Sequence, residues 1–112
     1  MTADPLVVAT TTVEKQAQAD EIARQIIDAR LAACIQIDGP ITSHYVWDRS
    51  PQRSAEWRLT IKTLASAAAA LAELVHRIHP YDTPQWVVLP TLDVSPDYYR
   101  WAQDAVRERN AS

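Results

Sequence analysis

Glu56-Trp57-Arg58-Leu59-Thr60-Ile61-Lys62 is the stretch that decides the fold. Trp57, Leu59 and Ile61 alternate with Glu56, Arg58, Thr60 and Lys62, which is the period of two of a strand with one buried face. A second strand-like run, Ile41-Thr42-Ser43-His44-Tyr45-Val46-Trp47, lies just upstream. It puts Ile41, Tyr45 and Trp47 on one face and Thr42, His44 and Val46 on the other. The polar segment from Asp48 to Ser54 contains Pro51 and reads as the connection of a hairpin. Its tip is expected to project beyond the core.

Working outward, Ala33-Cys34-Ile35-Gln36-Ile37 begins the first hairpin strand, and Asp38-Gly39-Pro40 bends or bulges it. Leu6 to Thr10 is an apolar run expected to form a central strand. Thr11-x-x-Glu14 then fits a capping box, opening a helix with Ile22, Ile26 and Ala29 on its buried stripe. Downstream, Ser66 is expected to cap a second helix with Leu71, Leu74, Val75 and Ile78 inside. Pro80 disfavours helical geometry at His79 and should end it. Trp86 to Pro90 reads as a final core strand. Ser95-Pro96-Asp97 starts a last helix carrying Tyr98, Trp101, Ala102, Ala105 and Val106.

The order is β-α-β-β-α-β plus a C-terminal helix. It predicts an α+β, ferredoxin-like sandwich, with one antiparallel sheet and two helices on one face. The last helix or neighbouring subunits must cover the other face. With four tryptophans in the chain, two of them on the hairpin, subunits are expected to do part of that work.

Length and composition bound the function. The 112 residues suit a single domain over 1–112. With 47% hydrophobic and 22% charged residues the composition is that of an ordinary globular protein. The net charge of −3, with no basic run longer than two residues, speaks against a nucleic-acid surface. Cys34 is the only cysteine, which fits a reducing, cytoplasmic compartment. The first residues do not look like a signal peptide, and no apolar stretch is long enough to span a membrane. One glycine, Gly39, leaves no room for a phosphate-cradling glycine loop, and turns must rely on Pro, Asp, Asn and Ser.

No recognisable catalytic centre appears. Cys34, at the start of a core strand, reads first as a small buried residue; a reactive thiol or metal ligand is the sharper alternative. His76 and His79 are three apart at a helix end. They can be favoured there by the helix dipole, or can chelate a transition metal from one face. His44 is expected at the surface. Asp38, Asp48, Glu56 and Asp82 sit at strand ends and turns, where acids satisfy free N–H groups or attract cations. His79-Pro80-Tyr81-Asp82-Thr83-Pro84 is either a rigid connector or a fixed loop lining a pocket.

Several of these segments together resemble the CutA family of divalent-cation-tolerance proteins. They are Leu31-Ala32-Ala33-Cys34, Ser43-His44-Tyr45-Val46-Trp47, Glu56 with Ile61-Lys62-Thr63, His79-Pro80-Tyr81-Asp82-Thr83-Pro84 and Asp97-Tyr98-Tyr99-Arg100-Trp101. The resemblance implies a compact homotrimer, with hairpins pairing across subunits. It implies tolerance of copper and other divalent metals, copper binding by some members, and no agreed catalytic activity. Some bacterial members carry Cys after the first strand, where Thr11 stands here, and His-His where this chain has Ile78-His79.

The resulting expectation is a non-enzymatic cytoplasmic homotrimer that binds divalent cations weakly or indirectly. His79 and Cys34 are the metal candidates, and Glu56, Tyr81, Asp82 and Lys62 the pocket candidates. Tyr45, Trp47, Trp57 and Trp86 are offered for the trimer interface. Copper or another divalent cation is the expected cofactor, with no organic one. Other copies of the chain and metal ions are the expected partners, with no nucleic acid or membrane. The alternative is a regulatory trimer resembling the PII signalling proteins, which would need a long mobile hairpin loop. An acylphosphatase-type enzyme on this fold would need Arg and Gly after the first strand, where Thr10-Thr11-Thr12-Val13 stands.

Overall fold

A computed structural model describes residues 4–107; the expected domain over 1–112 extends past them at both ends. The elements are β1 (Leu6–Val13), α1 (Gln16–Asp28), β2 (Cys34–Trp47), β3 (Ser50–Leu64), a 3-10 turn (Ala65–Ala67), α2 (Ala68–Ile78), β4 (Val87–Pro90) and α3 (Pro96–Arg107). The strands form one antiparallel sheet in the order β2-β3-β1-β4. That order is what two interleaved β-α-β units produce.

The alternation over Glu56 to Lys62 orients the sheet. Leu59 and Ile61 are fully buried, and they join Ala9 and Val13 of β1 against Ala19, Ile22 and Ile26 of α1 and Leu71, Leu74 and Val75 of α2. A smaller cluster of Leu64, Ala67 and Val106, with Ala33 and Tyr99 beside it, seats α3.

β1 runs three residues further than expected. Thr11, Thr12 and Val13 continue the ladder opposite Leu59, Arg58 and Trp57, because β-branched side chains suit a pleated surface. Thr11 therefore does not cap α1. The helix starts at Gln16, and the Gln18 side chain accepts from the Lys15 N–H at 3.0 Å. Ser66 does not cap α2 either. Asp4 takes both its N–H and its hydroxyl, at 2.8 and 2.6 Å, and so fastens the start of the chain to the 3-10 turn.

β2 keeps one course through the expected bulge, with its register slipping between Asp38 and Ile41. Gly39 is required there: a Cβ would lie 2.7 Å from Cδ2 and Cε3 of Trp57. The hairpin connection is shorter than the polar run from Asp48 to Ser54. Strand pairing begins at Trp47 opposite Ser50, leaving Asp48 and Arg49 as a two-residue turn with φ of 52° and 65°. Two successive left-handed residues make the primed turn that matches strand twist. The long hairpin loop of the PII-like alternative is therefore not there. Arg30, at φ 58°, ends α1 in the same conformation, with Leu31 N–H donating to the Ile26 carbonyl and Arg30 N–H to that of Ile27. Among the described non-glycine residues arginine thus takes two of the three left-handed positions, although turns were expected to rely on Pro, Asp, Asn and Ser.

β1 ends opposite Trp57, so β3 from Ser50 to Glu56 has β2 on one side and, among the described residues, no strand on the other. Ile41–Trp47 and Ser50–Glu56 form a two-stranded arm. Pro51 is tolerated in it because that edge is free. β4 corrects another expectation. It is an edge strand paired only with β1, and Val87, Val88 and Leu89 are exposed rather than core.

Candidate functional site

The site begins where α2 ends. Pro80 holds His79 in extended geometry, at φ −69° and ψ 138°, and so turns its ring out of the helix and under the end of β1. His79 and His76 consequently do not present a chelating pair. His76 stays on the exposed helix surface and donates from Nδ1 to the Ala72 carbonyl at 2.8 Å.

His79 is buried and engaged at both nitrogens. Nε2 lies 3.0 Å from the Thr12 carbonyl and 3.0 Å from the Thr11 hydroxyl. Nδ1 lies 3.0 Å from the Tyr81 backbone N–H. A carbonyl only accepts and an amide N–H only donates, so the tautomer is fixed. Nε2 carries the proton and shares it between Thr12 and Thr11, and the bare Nδ1 accepts from Tyr81. Burial foremost, and the nearby His76 after it, hold the His79 pKa below its ordinary value.

Tyr81 makes the second half of the site. Its ring sits 5.0 Å from that of His79, and its hydroxyl donates to Glu56 Oε2 at 2.9 Å. Glu56 is buried at the root of the arm. Burial first, then the carboxylate, push the Tyr81 phenol pKa well above its ordinary range.

His79, Tyr81 and Glu56 are thus brought together. Cys34 and Lys62 are not with them. They face each other across β2 and β3, six residues along the strand from Glu56, or about 20 Å. There Lys62 donates to Gln36 at 2.9 Å and stands 5.8 Å from the Tyr98 ring centroid. Burial, with Cys34 beside it, raises the Tyr98 pKa. Asp82 lies exposed, outside both groups. Among the described residues no group of three or more His, Cys, Asp or Glu side chains is placed to hold a metal ion.

Of the four aromatics offered for assembly, Trp57 and Trp86 are half-buried against this chain's own core. Tyr45 and Trp47 stand open on the arm, with Val46 between them 71% exposed. Thr11 and Thr12 were not foreseen as the anchors of His79. The signal was the β-branched run Thr10 to Val13, which belongs to a strand reaching past the helix end.

This geometry defines a class: a four-stranded α+β sandwich with a β-ribbon arm and a His-Pro-Tyr connector locked under its root. The chain belongs to the CutA1 divalent ion tolerance family, whose model matches residues 7–105. It is 38% identical over 90 residues to a CutA homolog of Xenopus laevis, covering 80% of this chain and 60% of that protein. It is 33% identical over 101 residues to the divalent-cation tolerance protein CutA of Escherichia coli, covering 90% of each. Among solved structures, CutA1 from Oryza sativa superposes with a TM-score of 0.89 at 36% identity, covering 93% of this chain and 95% of that one. The match spans only about half to three-fifths of the animal relatives' length.

Proposed function

We propose that this chain works as a homotrimer in the tolerance of divalent metal ions, copper among them, with weak or indirect contact to the ion and no catalytic reaction. The family match carries the metal-tolerance half of the reading, and one observation carries the assembly half. Among the described residues the arm leaves a seven-residue strand edge unpaired, from Ser50 to Glu56, with Tyr45, Val46 and Trp47 exposed on its other strand, while β4 leaves another edge with Val87, Val88 and Leu89 exposed. Free edges of this kind invite pairing with another chain. An arm from one copy laid on the edge of the next is a head-to-tail contact, which closes into a ring of three when each copy is turned a third of a circle from the last. The lone Cys34 supports a cytoplasmic setting. No helix among the described residues is long and apolar enough to cross a membrane.

The functional half is tested in a bacterial host deleted for its own relative. Expression of this chain should raise growth in graded copper or zinc. Growth identical to the empty vector at every concentration would contradict it.

A further inference from the structure

We propose that Tyr81 is a latch that closes His79 and Glu56 to divalent cations, so that ion affinity at the root of the arm is set by opening the latch. The proposal rests on the metal-tolerance reading above and names how its ion contact is controlled.

The observation is that one residue occupies both groups at once. The only lone pair left on the His79 ring is at Nδ1, since Nε2 bears the proton given to Thr12. The Tyr81 backbone N–H covers that lone pair at 3.0 Å. The Tyr81 hydroxyl covers Glu56 Oε2 at 2.9 Å. Imidazole nitrogen and carboxylate oxygen are the ligand types that Zn²⁺ and Cu²⁺ take, yet Nδ1 of His79 and one of the two Glu56 oxygens are each spent on a hydrogen bond to the same residue. An ion arriving at the closed site finds an N–H proton on Nδ1 and an O–H proton on Oε2, which leaves it Glu56 Oε1 alone and no chelate with the ring.

The two bonds also support one another. Proline at 80 fixes the turn that brings the Tyr81 N–H to Nδ1, and the ring then has a short path past His79 to Glu56. Neither group is stressed by the arrangement, because no buried polar side-chain atom lacks a partner among the described residues. The latch is therefore the resting state, and an open site must give up both bonds. Each is worth a factor of about three to ten in an equilibrium.

The test is calorimetric titration of the full chain with Zn²⁺ and Cu²⁺. Wild type is compared with Tyr81→Phe, which frees only the carboxylate, and Tyr81→Gly, which also loosens the backbone. Both are repeated with Glu56→Gln. Tyr81→Phe keeps the ring in place, so it stays informative even if the glycine variant misfolds. The expected result is affinity about threefold higher for Tyr81→Phe and about tenfold or more for Tyr81→Gly. With Glu56→Gln the Tyr81→Phe gain should vanish and the Tyr81→Gly gain should shrink to the part owed to the His79 nitrogen. Latch variants that bind no tighter than a wild type that does bind would overturn the latch and leave ion binding standing. An absence of binding to every chain up to millimolar ion would overturn the latch and the direct ion contact together.

Discussion

The ring Nε2 of His79 lies 3.0 Å from the Thr11 hydroxyl, joining the end of α2 to the end of β1 across 68 residues of sequence. Together with the Thr12 carbonyl and the Tyr81 N–H, it makes His79 a structural pin before it is anything else.

Replacing the pin should be costly. His79→Ala leaves the Tyr81 N–H and the Thr11 hydroxyl without their partner and opens a cavity, and a loss of about 2 kcal/mol is expected. Urea unfolding followed by tryptophan fluorescence measures it. A loss within a few tenths of a kcal/mol would show that the ring is not holding β1 to the connector.

The same pin makes stability depend on pH. The folded state keeps His79 neutral, with its pKa below the ordinary 6.5, while the unfolded chain takes up the proton near that value. The unfolded state therefore binds more protons in this window, and stability rises with pH through it. The contribution is complete above pH of about 6.5 and is lost as pH falls through the lower, folded value. Midpoints of urea unfolding should drop as pH is lowered between these values, and His79→Gln should flatten that slope. Equal slopes in the two proteins would contradict it.

Gly39 and Trp57 are a matched pair. A methyl at position 39 would meet the indole at 2.7 Å, and Gly39→Ala should cost about 1–3 kcal/mol by overpacking. Adding Trp57→Leu should recover part of that loss. Gly39→Ala is expected to lower the thermal midpoint; an unchanged midpoint would mean the bulge can shift to make room.

The arm turn should tolerate improvement. Arg49 holds φ of 65°, where a Cβ is disfavoured. Arg49→Gly is expected to stabilise the chain by about 0.5–1 kcal/mol. A destabilised variant in the same unfolding assay would show that the arginine side chain outweighs its backbone.

Much of this architecture is legible in the sequence. The alternation at 56–62, the helix stripes of Ile22 and Ile26 and of Leu71, Leu74 and Val75, and the proline after His79 are local signals with local causes. What was not legible has long-range causes. Thr11 reads as a cap because capping is a four-residue pattern, while the pairing that keeps it in a strand comes from Leu59. Asp4 and Ser66 meet across 62 residues. Trp86 to Pro90 is apolar enough for a core, yet it lies at the sheet edge because nothing follows it in the ladder. At the site, His79, Tyr81 and Glu56 were each singled out, but the bonds that link and occupy them depend on the fold. Cys34 stands beside His79 as a metal candidate and Lys62 beside Glu56 and Tyr81 as a pocket candidate, and strand register separates both from the site.

The measurement closest to the central claim is the mass of the full chain in solution at nanomolar dilution, by native mass spectrometry or sedimentation. A species of three chains is expected to persist on dilution and to be lost with Ala55→Pro, since the N–H of residue 55 faces the free edge of the arm and not β2. A single-chain mass under the same conditions would contradict it.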